Sequence, residues 1–429
     1  MRVDKKMVDG SNMPHISAYD DAGKLRSVLI HRPGLEAVTS SIASFEQIFF
    51  IRARLGRHGF DFEKALDEHI RFLSMLQREG VEALEVEQLL AEALDDSTTV
   101  RREFIESYLA GCGTRGEELL CPVREFLESL DNGLELAAVA IRGIRCGDVG
   151  LPDREHEPLT HALCTEFDVD AILAGPMNTM YFTRDPAVVM GNKILLSSMY
   201  WPDRAREALL YRTIFVHHPI FRGAELLHTD GSSYHIEGGN VLNLGNGIIA
   251  VGISERTEPA AVDRLSSLLF NAENDDWARK VLAIALPAES VGHRVHLDAY
   301  MTKVDRDAFL VDPVLETAFN AYIIERDKGA KLTLTHVDNL QKTLCQLLDT
   351  AVRLIPCGGQ KAGPANQEAL NNAASVLCLE PGRVCACDGN PLTRSALERA
   401  GIDVIAIGID ELTYGFGGPC SLCMPLERI

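Results

Sequence analysis

Two stretches near opposite ends of the chain read alike. Leu76-Gln77-Arg78-Glu79-Gly80-Val81-Glu82 parallels Leu397-Glu398-Arg399-Ala400-Gly401-Ile402-Asp403, and alternating apolar residues follow each. In both, a helical pattern stops at glycine and a strand leaves it. The flanking elements repeat as well. At the first end, Leu25 to His31 predicts a strand closed by Arg32-Pro33-Gly34, then a helix to about Arg78 with Ala65, Ile70, Leu73 and Leu76 on its apolar face, then a strand at Val81 to Val86. At the other, Gly382 to Ala386 predicts a strand, Pro391 to Ala400 a helix and Ile402 to Ile407 a strand. A unit repeated at both termini points to a mixed α/β chain that closes around an axis.

Between about Leu89 and Gly147 the strand pattern vanishes, and charged residues interleave with Phe104, Tyr108, Leu119, Val123, Phe126 and Leu130. This predicts a helical insertion over 89–147 in an α/β body formed by 1–88 and 148–429. Hairpin turns are expected at Gly191-Asn192 and Asn246-Gly247.

Charge narrows the classes of ligand. With 62 acidic against 42 basic residues, the formal net charge of -20 repels nucleic acids and anionic membranes and suits a small cationic substrate. No run approaches the roughly 18 apolar residues of a membrane span, and the first fifteen residues carry positive charge with no apolar stretch behind them, so a cytoplasmic location is expected. Eleven cysteines, an odd number without a framework, are read as reduced thiols.

Four segments place polar residues within or beside apolar strands, where an unpaired charge is costly: Phe182-Thr183-Arg184-Asp185-Pro186, Ile236-Glu237-Gly238-Gly239-Asn240, His296-Leu297-Asp298 and Gly417-Gly418-Pro419-Cys420-Ser421-Leu422-Cys423. On a strand, His296 and Asp298 would share one face, so that an imidazole and a carboxylate converge on one ligand. The glycines after Glu237 allow close backbone approach and leave room beside its carboxylate. Asp185 precedes Pro186 and is expected in extended backbone. A metal is not expected. The close His/Asp pairs are His296-Leu297-Asp298 and His228-Thr229-Asp230, no acidic cluster has calcium or magnesium loop spacing, and the CxxC of Cys420 and Cys423 has no second copy. No cofactor is expected either.

In this order, the segments resemble the arginine deiminase family, cysteine hydrolases that convert arginine to citrulline and ammonia. The likeness runs from Gly23-Lys24-Leu25-Arg26-Ser27-Val28-Leu29-Ile30-His31-Arg32-Pro33-Gly34 through Met199-Tyr200-Trp201-Pro202 and Gly252-Ile253-Ser254-Glu255-Arg256-Thr257 to Met424-Pro425-Leu426. It implies a pentein-like, five-bladed propeller of ββαβ units with a helical domain inserted after the first, and a homo-oligomer. It also implies roles. Asp185 and Asp298 hold the guanidinium, Glu237 accepts one of its hydrogen bonds and orients His296, and His296 shuttles protons. Arg204 and Arg256 clamp the substrate carboxylate.

The chain departs from the family pattern at its tail, where the family's arginine falls on Cys420 and its nucleophilic cysteine on Ser421. A serine hydroxyl is far less acidic than a thiol. Three accounts stay open: an engineered Cys-to-Ser change, a shifted register in which Cys420 or Cys423 acts, and a protein that binds guanidines without turnover. Thr179, beside Asn178, stands where the family has asparagine, and Asn240 where it has aspartate. Both positions belong to the pocket rim or the amino-acid end, so an amidinotransferase or a dihydrolase of the same superfamily is the alternative activity.

Overall fold

The computed structural model describes residues 16–37, 60–149, 172–227, 234–270, 277–287, 294–327, 331–359, 367–415 and 417–429. The part of the first expected helix that falls in 38–59, and the pair His228 and Asp230, lie outside them.

The hairpin prediction at Asn246-Gly247 holds for a conformational reason. Asn246 and Gly247 both adopt positive φ, 52° and 75°, the pair of values that matches the twist of two antiparallel strands. They join β8 (Val241–Gly245) to β9 (Ile248–Ile253), and the helix Pro259–Phe270 then returns the chain to β10 (Lys280–Ala285), parallel to β9. The same path recurs. β5 (Ala187–Met190) and β6 (Lys193–Leu196) form a hairpin around Gly191, and β7 (Glu225–Leu227) runs parallel to β6 after the helix Pro202–His217. β16 (Leu377–Glu380), β17 (Arg383–Cys387), the helix Pro391–Arg399 and β18 (Asp403–Ile407) repeat it.

In one sheet the hairpin partners come from the two ends of the chain. β1 (Leu25–Ile30) is antiparallel to β19 (Met424–Arg428) and parallel to β2 (Glu82–Glu85), which follows the helix Phe62–Arg78. The textual repeat thus marks two equivalent units, one of them completed by the chain's last strand. A further sheet pairs β11 (Met301–Asp305), β12 (Ala308–Val311) and β15 (Arg353–Pro356). Between its last two strands the chain adds an unforeseen hairpin, β13 (Ala321–Arg326) and β14 (Leu332–Val337), which extends the sheet of β10.

The predicted apolar face of the first helix needs correcting. Its buried stripe is Ala65, Glu68, His69, Phe72, Met75 and Leu76, and Ile70 faces solvent. A carboxylate lies inside the stripe because Glu68 Oε2 accepts the backbone N–H groups of Glu411 and Leu412, which satisfies a charge that burial would otherwise make costly.

The helical segment consists of Val86–Asp96, Thr98–Gly111, Glu117–Ser129 and Gly133–Arg142. Leu90, Tyr108, Leu136 and Ile141 join Leu210 and Ile214 of the helix Pro202–His217 in one apolar cluster. Gly133 permits close helix contact, since a Cβ there would stand 2.3 Å from the Ala91 carbonyl oxygen. No helix among the described residues is long and apolar enough to cross a membrane.

Candidate active site

The polar segments singled out in the sequence fall in the short turns that lead into the first strand of a sheet. Asp185 precedes β5. Glu237 opens the 3-10 turn Gly238–Asn240 before β8, and His296 opens the 3-10 turn Leu297–Ala299 before β11. The residues around Ser421 lead into β19. His296 and Asp298 therefore do not share the face of a strand, as their spacing implied. His296 is extended, at φ -118° and ψ 150°, and the tight turn after it carries Asp298.

Asn240 fastens two of these turns together. Its Oδ1 accepts the Leu297 N–H at 2.9 Å, while its Nδ2 donates to Thr257 Oγ1 at 3.0 Å and Ser254 Oγ at 3.2 Å. The side chain is fully buried, and an amide supplies both the acceptor and the donors that this bridge uses. Its work here is to hold the histidine turn in place.

Glu237 and His296 form the tightest pair of the site. Glu237 Oε2 lies 2.7 Å from His296 Nε2, and its Oε1 accepts the Tyr200 N–H at 2.9 Å. Burial opposes ionisation of Glu237, but the His296 hydrogen bond and charge, with Arg256 and Arg204 beyond, overcome it and hold the carboxyl down at about 2. Burial likewise opposes charge on His296, by lowering its pKa, but Asp185 and Glu237 outweigh it, so the imidazolium is favoured. The charged ring carries N–H on both sides. One points to Glu237 and the other, Nδ1, lies 3.4 Å from Asp185 Oδ1.

Close backbone approach and room beside the carboxylate are the expected reasons for the glycines after Glu237, and the geometry makes them specific. A Cβ on Gly239 would stand 2.8 Å from the His296 ring and 2.9 Å from Asp185 Oδ1; one on Gly238 would stand 2.2 Å from the Arg184 carbonyl oxygen.

Asp298 is buried and takes a hydrogen bond from Ser421 Oγ at 3.4 Å. Burial pushes its carboxyl up to about 6, against the pull of His296 and with the charge of Asp185 adding. Ser421 thus faces a carboxylate of the site. The neighbouring thiols have other surroundings. Cys423 is wholly buried in the apolar cluster that holds Leu25, Phe182 and Cys385, and burial pushes its thiol up to about 12. Burial also raises Cys420, against the opposing charge of Arg184. Neither has the electropositive, partly exposed setting of a reactive cysteine. The tail turn leaves room only for glycine: a Cβ on Gly417 would stand 2.3 Å from the Phe182 ring and 2.9 Å from Ser421 Cβ.

The two arginines differ in their commitments. Arg204 Nη1 donates to Asp185 Oδ2 at 2.7 Å, and its Nε and Nη2 donate to the two oxygens of Glu207 at 2.9 and 2.8 Å. Arg256 lies over the rings of Tyr200 and Trp201, 5.5 and 5.4 Å from their centroids, with Nη1 3.6 Å from Glu237. Asn178 Nδ2 donates to the Glu36 carbonyl oxygen at 2.9 Å, and the Thr179 carbonyl oxygen accepts the Phe182 N–H at 2.9 Å. These contacts tie Asn178 and Thr179 to the frame of the segment that presents Asp185. Glu207, and the contacts that Tyr200 makes with Glu237 and Arg256, were not foreseen from the sequence. A carboxylate three residues after Arg204 on a helix was the available signal for the first.

The chain is similar to known proteins along most of its length. The arginine deiminase family profile matches residues 58–428. Arginine deiminase from Streptococcus sanguinis is 34% identical over 417 residues, 96% of this chain and 98% of that protein. The one from Treponema denticola is 30% identical over 423 residues, 97% and 99% of the two chains. Among solved structures, SxtG, an amidinotransferase from Microseira wollei, matches with a TM-score of 0.53 at 15% identity, covering 96% of this chain and 97% of its own. The inosamine-phosphate amidinotransferase of Streptomyces griseus matches at 0.52 and 13%, with 96% and 97% covered. The structural matches speak to the α/β fold, whereas the sequence matches extend over the whole site, and by them the chain belongs to the arginine deiminase family.

Proposed function

We propose that this protein acts on the guanidinium group of L-arginine or a close analogue, with conversion to the ureido product and ammonia as the family reaction. The observation that carries the reading is the convergence of Asp185, Glu237, Asp298 and His296 at 2.7 to 3.4 Å from one another or from their neighbours, beside Ser421. A guanidinium is planar and permanently charged, so carboxylates are needed to hold and orient it. Asp185 and Asp298 supply them. A nucleophile at position 421 then adds to the central carbon, and the C–N bond breaks as ammonia leaves with a proton from His296. Water next gives a proton to His296 and displaces the nucleophile, which leaves the ureido product. The recurring ββαβ sheets support a five-bladed propeller, with residues 89–147 as an inserted helical domain.

With serine at 421, capture of the guanidinium is favoured over its hydrolysis, and a binding protein without turnover is the second reading. Ammonia and citrulline should be measured with arginine for the protein as it stands and for Ser421→Cys. Product from the cysteine variant supports the hydrolase reading. Arginine-induced thermal stabilisation without ammonia from either would favour the binding protein, and transfer of the amidino group to an added amine would favour an amidinotransferase.

A further inference from the structure

Arg204 and Glu207 sit on the first turns of the helix Pro202–His217, three residues apart. A cation at this end of a helix opposes the helix dipole, and Glu207, whose side chain is 1% exposed, compensates it with both carboxylate oxygens. Arg204 Nη2 also reaches the Phe182 carbonyl oxygen at 3.4 Å. Of the five N–H donors of the guanidinium, one remains for Asp185 and one is left over, among the described residues.

This fork has a consequence for Asp185. Its Oδ2 is taken by Arg204, whereas its Oδ1 is buried and has no hydrogen-bond partner among the described residues, with His296 Nδ1 3.4 Å away. A buried carboxylate oxygen left without a donor is costly, and a substrate guanidinium would supply one.

We propose that Glu207 is a positioning residue of the site: by gripping Arg204 with both oxygens, it makes Arg204 hold Asp185 by one oxygen only and so presents the other, Oδ1, to the substrate guanidinium. The anionic end of the substrate then meets Arg256, whose guanidinium is held by aromatic faces and the single-point contacts with Glu237 and Glu255, together with the one N–H that Arg204 has left over. This rests on the guanidinium reading above and adds a residue to it.

The test is Glu207→Gln and Glu207→Asp, each assayed for arginine affinity by calorimetry and for the titration midpoint of His296 by NMR. The amide removes the charge, and the shorter acid keeps it but cannot span the fork. Arginine affinity should fall about tenfold or more in both, the worth of a charge-assisted hydrogen bond. The His296 midpoint should fall in Glu207→Gln, because Arg204 then acts on the imidazolium with one counter-charge fewer. An affinity within twofold of the parent together with an unmoved His296 midpoint would overturn the proposal. Should Glu207→Gln unfold, Glu207→Asp alone decides, and an arginine affinity within twofold of the parent in that variant would equally overturn it. If the parent itself binds no arginine, the functional reading fails, and the His296 titration still decides the role of Glu207.

Discussion

The turns before β8 and β11 and the turn before β19 face the same site, yet they are built to different standards. In the first two, Asn240 bridges the backbone, Glu237 is satisfied by Tyr200 and His296, and the histidine is hydrogen-bonded through Nε2 with its Nδ1 3.4 Å from Asp185. In the tail turn, glycines give the backbone its close fit, but the group presented is a hydroxyl whose hydrogen bond to Asp298 is long, at 3.4 Å. On the proposed reading, one half of the site is organised for capture and proton transfer. The other half is then the place of attack, yet it lacks an acidic nucleophile.

The widest break of this contrast is Ser421→Cys. The replacement sulfur would stand beside Asp298, and a thiol is far more acidic and more nucleophilic than the hydroxyl it replaces. Ammonia release from arginine should rise from background to a steady turnover, the largest change expected of any single substitution here. A cysteine variant that binds arginine and yields no ammonia would mean that the tail turn is misplaced for attack, and the contrast would then lie in geometry and not in chemistry.

Next is His296→Ala in the Ser421→Cys background. Loss of a positioned acid and base should lower kcat by about 10²- to 10⁴-fold, with arginine affinity changed much less. A fall in affinity alone, with kcat preserved, would show that the imidazole holds substrate and moves no proton.

Gly239→Ala probes the packing of the organised half. The added methyl group meets the His296 ring at 2.8 Å and Asp185 Oδ1 at 2.9 Å, so side chains must shift and overpacking should cost about 1–3 kcal/mol. Thermal unfolding should report the loss and calorimetry a weaker arginine complex. The same change at Gly80, where a Cβ meets nothing within 4 Å but φ is 74°, would destabilise through the backbone alone and leave arginine binding intact.

The sequence disclosed the capture half better than it disclosed its construction. Asp185, Glu237, His296 and Asp298 were readable because charged residues in apolar runs are costly and so mark a site. That His296 and Asp298 sit on a 3-10 turn was not readable, since three residues carry no periodicity to set against the strand pattern. Nor was the role of Asn240, whose partner Leu297 lies 57 residues away. The repeat at the two ends revealed equivalent units, but the pairing of β19 with β1 closes across the whole chain, and no local pattern records it. The hairpin of β13 and β14 escaped for a further reason. Every residue of β14 from Thr333 to His336 is exposed, so the strand lacks the half-buried alternation that reveals strands.

The smallest effect concerns Asp298, which belongs to both halves because it faces Ser421 and, on the proposed reading, also serves the guanidinium. Its carboxyl is pushed up to about 6 from an ordinary 3.8, so the folded protein keeps this proton over a range in which the unfolded chain has released it. Between those values the group costs stability as the pH rises. Binding runs the other way. A guanidinium needs the carboxylate, and below about 6 each arginine bound must displace a proton from Asp298. From about pH 7 to about pH 5, affinity for arginine should therefore fall about tenfold, while the contribution of Asp298 to fold stability improves. Calorimetric titrations across that range, with thermal unfolding in parallel, would show the two trends diverge. Asp298→Asn should bind weakly at every pH and abolish the dependence. An affinity that stays flat through pH 6 in the parent protein would place the ionised form of Asp298 outside the capture half, leaving it with Ser421 alone.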